Sequence, residues 1–152
     1  MKPNSKQNKK SDLRNAIDIV LSELGTNMVY DENSLSSFEY DNVDYLLFMD
    51  EADGVFSIME YVVGLNDNLT EQDFNLALES IKEDYPDYDG DWNEGRCYLS
   101  SPLFILPPTG KIDKEFFVKI VKEFFEVWTI IIADVCFMTD SSIWDIKEEE
   151  QQ

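Results

Sequence analysis

The sequence predicts an α+β protein in which helices pack on an antiparallel sheet. Three observations predict this class: an apolar stripe with helical spacing after residue 11, a segment rich in β-branched and aromatic residues over 34–65, and a long run of paired apolar residues after residue 113. The predicted order of elements is α-β-β-β-α-β(β)-α.

The first helix is predicted from about Asp12 to Leu24. Ser11 can cap its N-terminus, and Gly25 is placed to end it as the residue after the C-cap. Its apolar residues recur on one helical stripe: Leu13, Ile17, Val20, Leu21 and Leu24.

An antiparallel meander is predicted next. Its strands are Leu35 to Tyr40, Val43 to Met49 and Val55 to Leu65, joined by tight turns at 41–42 and 51–54. The middle strand is apolar almost throughout, which favours burial on both faces or a covering layer.

A second helix and an acidic loop follow the meander. Thr70 and Asp73 resemble a capping box, and Pro86 stops the helix. Its predicted stripe comprises Phe74, Ala77, Leu78 and Ile81. Residues 84–95 are acidic, aromatic and interrupted by Gly and Pro, so they are predicted to form a loop.

The last predicted elements are one or two strands and the longest helix. The strands, Arg96 to Ser101 and Leu103 to Leu106, are separated at Pro102, because proline cannot donate to a ladder. Asp113 caps the helix, whose broad apolar face predicts a central position: Phe116, Phe117, Ile120, Val121, Phe124, Phe125 and Trp128. The pattern over 129–138 suits either a continued helix or a strand.

Length and composition favour a single α+β domain over residues 11–139, between a basic flexible arm at 1–10 and an acidic polar tail at 140–152. The first apolar segment is interrupted by Asp18 and Glu23, unlike the core of a signal peptide. We therefore expect a cytoplasmic location.

The chain is strongly acidic. It carries 12 Lys and Arg against 32 Asp and Glu, a net charge of −20, and residues 15–81 contain no basic side chain. Such a field repels phosphate backbones and anionic lipid, so neither nucleic acid nor a membrane surface is an expected partner. A basic or amphipathic protein segment is the electrostatic complement, although the charge can also serve solubility alone.

The sequence offers little chemistry for catalysis. It contains no histidine, which excludes His-based triads, Cys-His dyads and His-ligated zinc. Cys97 and Cys136 show no metal or redox spacing and are expected to be reduced core residues. Acid/base catalysis by paired carboxylates stays conceivable, but in a chain with 32 Asp and Glu such pairs are expected by chance. We therefore predict a protein that is not an enzyme, with no cofactor and no metal site.

The loop from Asp87 to Glu94 has oxygen ligands close in sequence, which raises the question of calcium. The EF-hand template places Trp92 where glycine is required and Tyr98 where the bidentate Glu belongs. An ordinary solvated acidic loop is the alternative interpretation.

Three aromatic residues in or beside this segment, Tyr85, Tyr88 and Trp92, could anchor a partner or could fold back onto the sheet.

Residues 97–125, with a strand, a short turn, an acidic helix cap and a helix of paired apolar positions, resemble the YbjN-like group and, more distantly, the class I type III secretion chaperones. The likeness covers roughly residues 11–137. It implies a secretion-chaperone-like fold and an acidic, often dimeric protein that binds polypeptide segments. If one face of the meander is uncovered, the candidate contact residues are Phe38, Tyr40, Phe56, Ile58 and Tyr61; the alternative places them in the core.

Two functions follow as hypotheses. The first is a chaperone-like or adaptor protein that engages a polypeptide segment through its sheet and acidic surface. The second is an acidic immunity or inhibitor protein that neutralises a basic toxin or enzyme. The apolar excess of the last helix would also suit a homodimer.

Overall fold

The computed structural model describes residues 11–30, 35–62, 70–93 and 96–151, with side chains described to the same extent except at 93 and 136–151. The predicted arm at residues 1–10 lies outside this part. Helices and an antiparallel sheet make up the described chain, so the predicted α+β class is confirmed.

Three helices occur in the described residues: α1 (Asp12–Glu23), α2 (Glu71–Asp84) and α3 (Lys114–Gln151). The N-caps predicted for α1 and α2 are present. The Ser11 side chain accepts from Arg14 N–H, and Thr70 and Asp73 form a reciprocal capping box. Gly25 follows α1 at φ 79°, a left-handed conformation that glycine adopts without steric cost.

Seven strands occur in the described residues: β1 (Met28–Val29), β2 (Leu35–Tyr40), β3 (Val43–Asp50), β4 (Val55–Tyr61), β5 (Asp89–Asn93), β6 (Arg96–Ser100) and β7 (Phe104–Ile105). Their order in the sheet is β1-β2-β3-β4-β6-β5, and β7 pairs with β4. The predicted turn between β2 and β3 is confirmed: Asp41 and Asn42 both have positive φ, the geometry of a two-residue hairpin loop.

The structure corrects the prediction at residues 89–93 and for the burial of β3, and it decides one segment that the pattern left open. Residues 89–93, predicted as loop, form β5, which pairs with β6 through all five residues. The ambiguous segment 129–138 is helical and belongs to α3. The apolar run in β3 does not mark burial on both faces, because Tyr45 and Leu47 are buried while Phe48 is exposed.

The chain divides into two compact units. Unit 1 comprises residues 1–59 and 102–122, and unit 2 comprises residues 60–101 and 123–152. Strand β4 and helix α3 contribute residues to both units. None of the helices, searched over the described residues, carries an apolar run long enough to cross a membrane.

Unit 1 has a core of aromatic and aliphatic side chains from α1, β2, β3, β4 and the start of α3. Phe117 is completely buried, with its ring centroid 5.7 Å from that of Phe38 and 6.5 Å from that of Phe56. The predicted stripe of α1 is buried except for its last residue, Leu24, which is half-buried. The amphipathic spacing of α1 is therefore explained by one buried face.

Unit 2 has a separate set of buried side chains. Phe74 and Ile81 of α2, Leu99 of β6, and Phe124 and Ile131 of α3 are all buried. The predicted stripe of α2 is thus confirmed as its core face, and the paired apolar positions of α3 supply buried side chains to each unit separately.

Candidate functional site

An apolar cleft of about 730 Å³ lies in unit 1. Its apolar lining comes from α1, β4, β7 and the first residues of α3 with the turn before them: Ala16, Ile19, Phe56, Ile105, Ile112 and Phe116. Ile19 is 59% exposed, Ile105 76% and Phe116 44%. Large apolar side chains are thus left in solvent around a cavity of the size that binds ligands in proteins, roughly 300–1,000 Å³.

Strand β7 contributes a free backbone edge beside this cleft. Phe104 and Ile105 lie opposite Phe56 and Val55, and Leu106 N–H donates to the Gly54 carbonyl oxygen at 2.8 Å. Bonded and non-bonded pairs alternate in an antiparallel ladder, so Ile105 directs its N–H and C=O away from β4. Within the described ranges, no strand pairs with that edge of β7.

The chain that follows β7 is positioned by local signals in the sequence. Gly110 has φ 74°, and its N–H donates to the Pro107 carbonyl oxygen at 2.9 Å, which closes the turn after β7. Asp113 Oδ2 then accepts Phe116 N–H at 3.0 Å in the first turn of α3. The Phe104 ring packs edge-on against that of Phe116, with centroids 5.8 Å apart. These contacts hold β7 next to the helix that lines the cleft.

Four charged side chains also line the cleft: Glu23, Lys111, Asp113 and Lys114. Their formal charges cancel, in contrast to the net charge of −20 on the chain. Asp113 is already engaged with a backbone N–H of α3. The two lysines form no ion pair with any carboxylate in the described part of the chain. In the cleft, an acidic protein therefore offers basic groups beside an apolar surface.

Three predicted contact residues of the meander lie in the core of unit 1. Phe38 is 2% exposed, Phe56 1% and Ile58 0%. Phe38 stacks on Tyr45, and Phe56 packs against Phe104. A side chain in this position is inaccessible to a partner, so the candidate contact set loses these three residues as primary anchors, although Phe56 forms part of the inner wall of the cleft.

Tyr40, the fourth of these meander residues to lie in unit 1, is half-buried and lines a second, more polar pocket of about 510 Å³. Leu24, Gly25 and Thr26 form one side of this pocket, and the hairpin from Glu39 to Asn42 and Lys122 complete it. Tyr40 does not line the apolar cleft.

In unit 2, Tyr88 belongs to the core and not to the surface. It is 2% exposed, its ring stacks on Phe124, and its hydroxyl donates to Glu123 Oε2 at 3.3 Å. Burial, followed by the charge of Glu123, raises the pKa of Tyr88 well above its ordinary value. Tyr88 is thus also lost from the contact set.

The other three predicted residues of unit 2 are half-buried. Trp92 packs against Phe74, Tyr61 packs against Tyr98, and Tyr85 lies edge-on to Tyr88 with centroids 5.7 Å apart. Partial desolvation of its ring, followed by the charges of Glu126, Glu123 and Asp84, raises the pKa of Tyr85. Tyr85 is therefore an accessible ring surrounded by carboxylates.

Residues 87–93, the described part of the acidic segment, do not form a loop that encloses an ion as a calcium-binding loop does. Residues 89–93 are extended in β5, and the Asp89 carboxylate accepts from Gly90 N–H and lies 3.7 Å from Lys82 Nζ. Across the residues whose side chains are described, no group of three or more Cys, Asp or Glu is arranged to hold a metal ion.

Cys97 is buried in unit 2, and its thiol donates to the Val62 carbonyl oxygen at 3.1 Å. Burial raises the pKa of this thiol to about 11 from an ordinary value of 9.0. The thiolate is the nucleophilic form, so Cys97 is held in its unreactive state at neutral pH.

Cys97 is therefore expected to resist modification in the folded protein. In a Cys136→Ser variant at pH 8, a disulfide-exchange reagent should label native protein at least a hundredfold more slowly than urea-unfolded protein. Two pKa units correspond to about a hundredfold less thiolate, and burial slows access further. The native rate should rise steadily up to about pH 11. Rates within tenfold of each other would contradict this assignment.

Sequence reasoning missed the three large apolar side chains of the cleft that are exposed: Ile19, Ile105 and Phe116. Ile19 carried a usable signal, because it falls off the apolar stripe of α1. Ile105 and Phe116 carried a weaker signal, because each is adjacent in sequence to another apolar residue and the pattern does not show which of the two is buried. Their exposure depends on which neighbour, Phe104 or Phe117, turns inward.

The chain was also compared with known proteins. No protein-family model, curated protein or solved structure matches it.

Proposed function

We propose that this chain is a non-enzymatic, polypeptide-binding domain of the chaperone or adaptor kind, which holds an extended segment of a partner protein in the cleft of unit 1. The observation that carries the proposal is an exposed apolar cleft bordered by the free edge of β7. The lack of histidine in the chain is in keeping with a binding function.

The proposed mode is addition of the partner segment as a strand beside β7. The outward N–H and C=O of Ile105 would provide main-chain hydrogen bonds, and alternate side chains of the segment would enter the cleft. Apolar residues of the partner would cover Ile19, Ile105 and Phe116, and full burial of one such side chain contributes about 1.5–3 kcal/mol.

The charge of the chain favours a basic or amphipathic segment. A net charge of −20 attracts a positively charged partner over long range, and added salt screens that attraction. The apolar contact in the cleft is much less sensitive to salt. We therefore expect salt to slow association and to leave dissociation nearly unchanged.

The test is selection of binders from a displayed library of random twelve-residue peptides. Peptides enriched on the wild-type protein should alternate apolar and polar residues and carry net positive charge. Ile19→Asp should weaken their binding at least tenfold, because it places a charge in the cleft. Val29→Asp is the matched control, since Val29 is an equally exposed apolar residue of unit 1 outside the cleft lining.

A second pair of variants tests whether the partner segment adds as a strand beside β7. Ile105→Pro removes the outward N–H without removing a bond to β4, whereas Ile105→Val keeps that donor. Only the proline variant should weaken peptide binding tenfold or more, with thermal unfolding checking that both fold. If no peptide is enriched, or if Ile19→Asp binds like the wild type, the proposal is overturned.

An immunity or inhibitor function is the second candidate, and the carboxylates of Asp84, Glu123 and Glu126 around Tyr85 in unit 2 favour it. A basic enzyme would then contact this acidic surface by charge and ring stacking. The same selection separates the two functions. Binders that lose affinity with Asp84→Asn and Glu126→Gln, but not with Ile19→Asp, would support the inhibitor and exclude the cleft.

A further inference from the structure

Two basic side chains, Lys111 and Lys114, line a largely apolar cleft in a chain whose net charge is −20. Neither forms an ion pair with a carboxylate of the described residues. Glu23 and Asp113 line the same cleft, but the Asp113 carboxylate accepts the Phe116 N–H and is partly compensated there. The lysines are thus available to an anionic group of a bound segment.

We propose that the cleft receives the C-terminal end of a polypeptide, whose free α-carboxylate is bound by Lys111 and Lys114. This inference rests on the proposed function and names the part of the partner that is recognised. A carboxylate has two oxygens, so it can accept a charge-assisted hydrogen bond from each ammonium group.

A main-chain carboxylate fits this cleft better than an acidic side chain does. Side chains of a strand beside β7 alternate between two faces, and those that enter the cleft meet Ile19, Phe56 and Ile112. An acidic side chain there would be desolvated by the apolar walls of the cleft. A terminal carboxylate is part of the main chain, so the side chains that enter the cleft can all be apolar.

The experiment compares peptide ends. A library of twelve-residue peptides displayed with free C-termini is selected on the wild-type protein, and the best binder is synthesised with a free carboxylate and with a C-terminal amide. The amide should bind at least tenfold more weakly. Lys111→Gln and Lys114→Gln should each weaken the free-acid peptide about three- to tenfold and leave the amide unchanged, and Lys119→Gln, an exposed residue of α3 outside the lining, should change neither.

The outcomes separate this inference from the proposed function. Equal binding of acid and amide, with Ile19→Asp still harmful, overturns C-terminal recognition and leaves the polypeptide-binding function standing. Enriched peptides that need an internal Asp or Glu also overturn it. If neither library yields a binder and a fatty acid binds the cleft instead, both the inference and the proposed function fail.

Discussion

Phe117→Ala is expected to lower the free energy of unfolding by about 3–5 kcal/mol, the range for truncating a buried Phe. Phe117 is completely buried in unit 1, with Phe38 and Phe56 within 6.5 Å, centroid to centroid. Removing the ring forfeits its transfer from water and leaves a cavity among aromatic neighbours that cannot fully close. Urea unfolding followed by tryptophan fluorescence measures the loss.

The adjacent residue supplies the control. Phe116 is 44% exposed and borders the cleft, so Phe116→Ala should cost less than half as much as Phe117→Ala. The comparison holds residue type, helix and chain position nearly constant and changes only burial. Equal losses of stability for the two variants would contradict the burial of Phe117 and the exposure of Phe116 at the start of α3.

Gly90→Ala is the second substitution with a large expected effect, about 1–3 kcal/mol of lost stability through overpacking. A Cβ at this position would lie 2.8 Å from Phe74 Cζ and 2.9 Å from the Tyr98 carbonyl oxygen. The Phe74 ring is itself completely buried, and the carbonyl belongs to the paired strand β6, so neither neighbour can give way freely.

Asp91→Ala provides the control for Gly90→Ala. Asp91 is the next residue of β5 and is exposed, so its truncation should change stability by less than about 0.5 kcal/mol. Chemical denaturation of both variants and of the wild type measures the differences in the free energy of unfolding. A neutral Gly90→Ala would indicate that residues 89–93 form the loop expected from composition and not a packed strand.

The helices were predictable because their signals are local. Ser11 and Gly25 bound α1, and the reciprocal contacts of Thr70 and Asp73 begin α2, each within a few residues along the chain. The hairpin between β2 and β3 was predictable for the same reason, since Asp41 and Asn42 tolerate positive φ. Caps and tight turns depend on neighbours in sequence, which a single sequence contains.

Strands β1 and β5 were not predicted. They are extended because they pair with neighbouring strands, and not because of the strand propensity of their own residues. Met28 and Val29 are too short a run to show a period of two, and they become a strand by pairing with Phe38 and Ser37. In β5, three polar residues and a glycine give a turn-like composition, yet all five residues pair with β6. Neither partner is visible to a local pattern.

The sequence by itself determined the charge of −20, the lack of a histidine, the α+β class and the ends of α1 and the start of α2, because these depend on composition or on residues close along the chain. Only the tertiary structure decided which large side chains are buried: Phe38, Phe56 and Tyr88 lie in the cores, while Ile19, Ile105 and Phe116 are exposed. The cleft unites residues from α1 to α3 that are up to about a hundred positions apart in the chain. Such a site forms only when long-range packing determines which face of each helix and strand is buried. The local spacing of residues in the sequence does not contain that information.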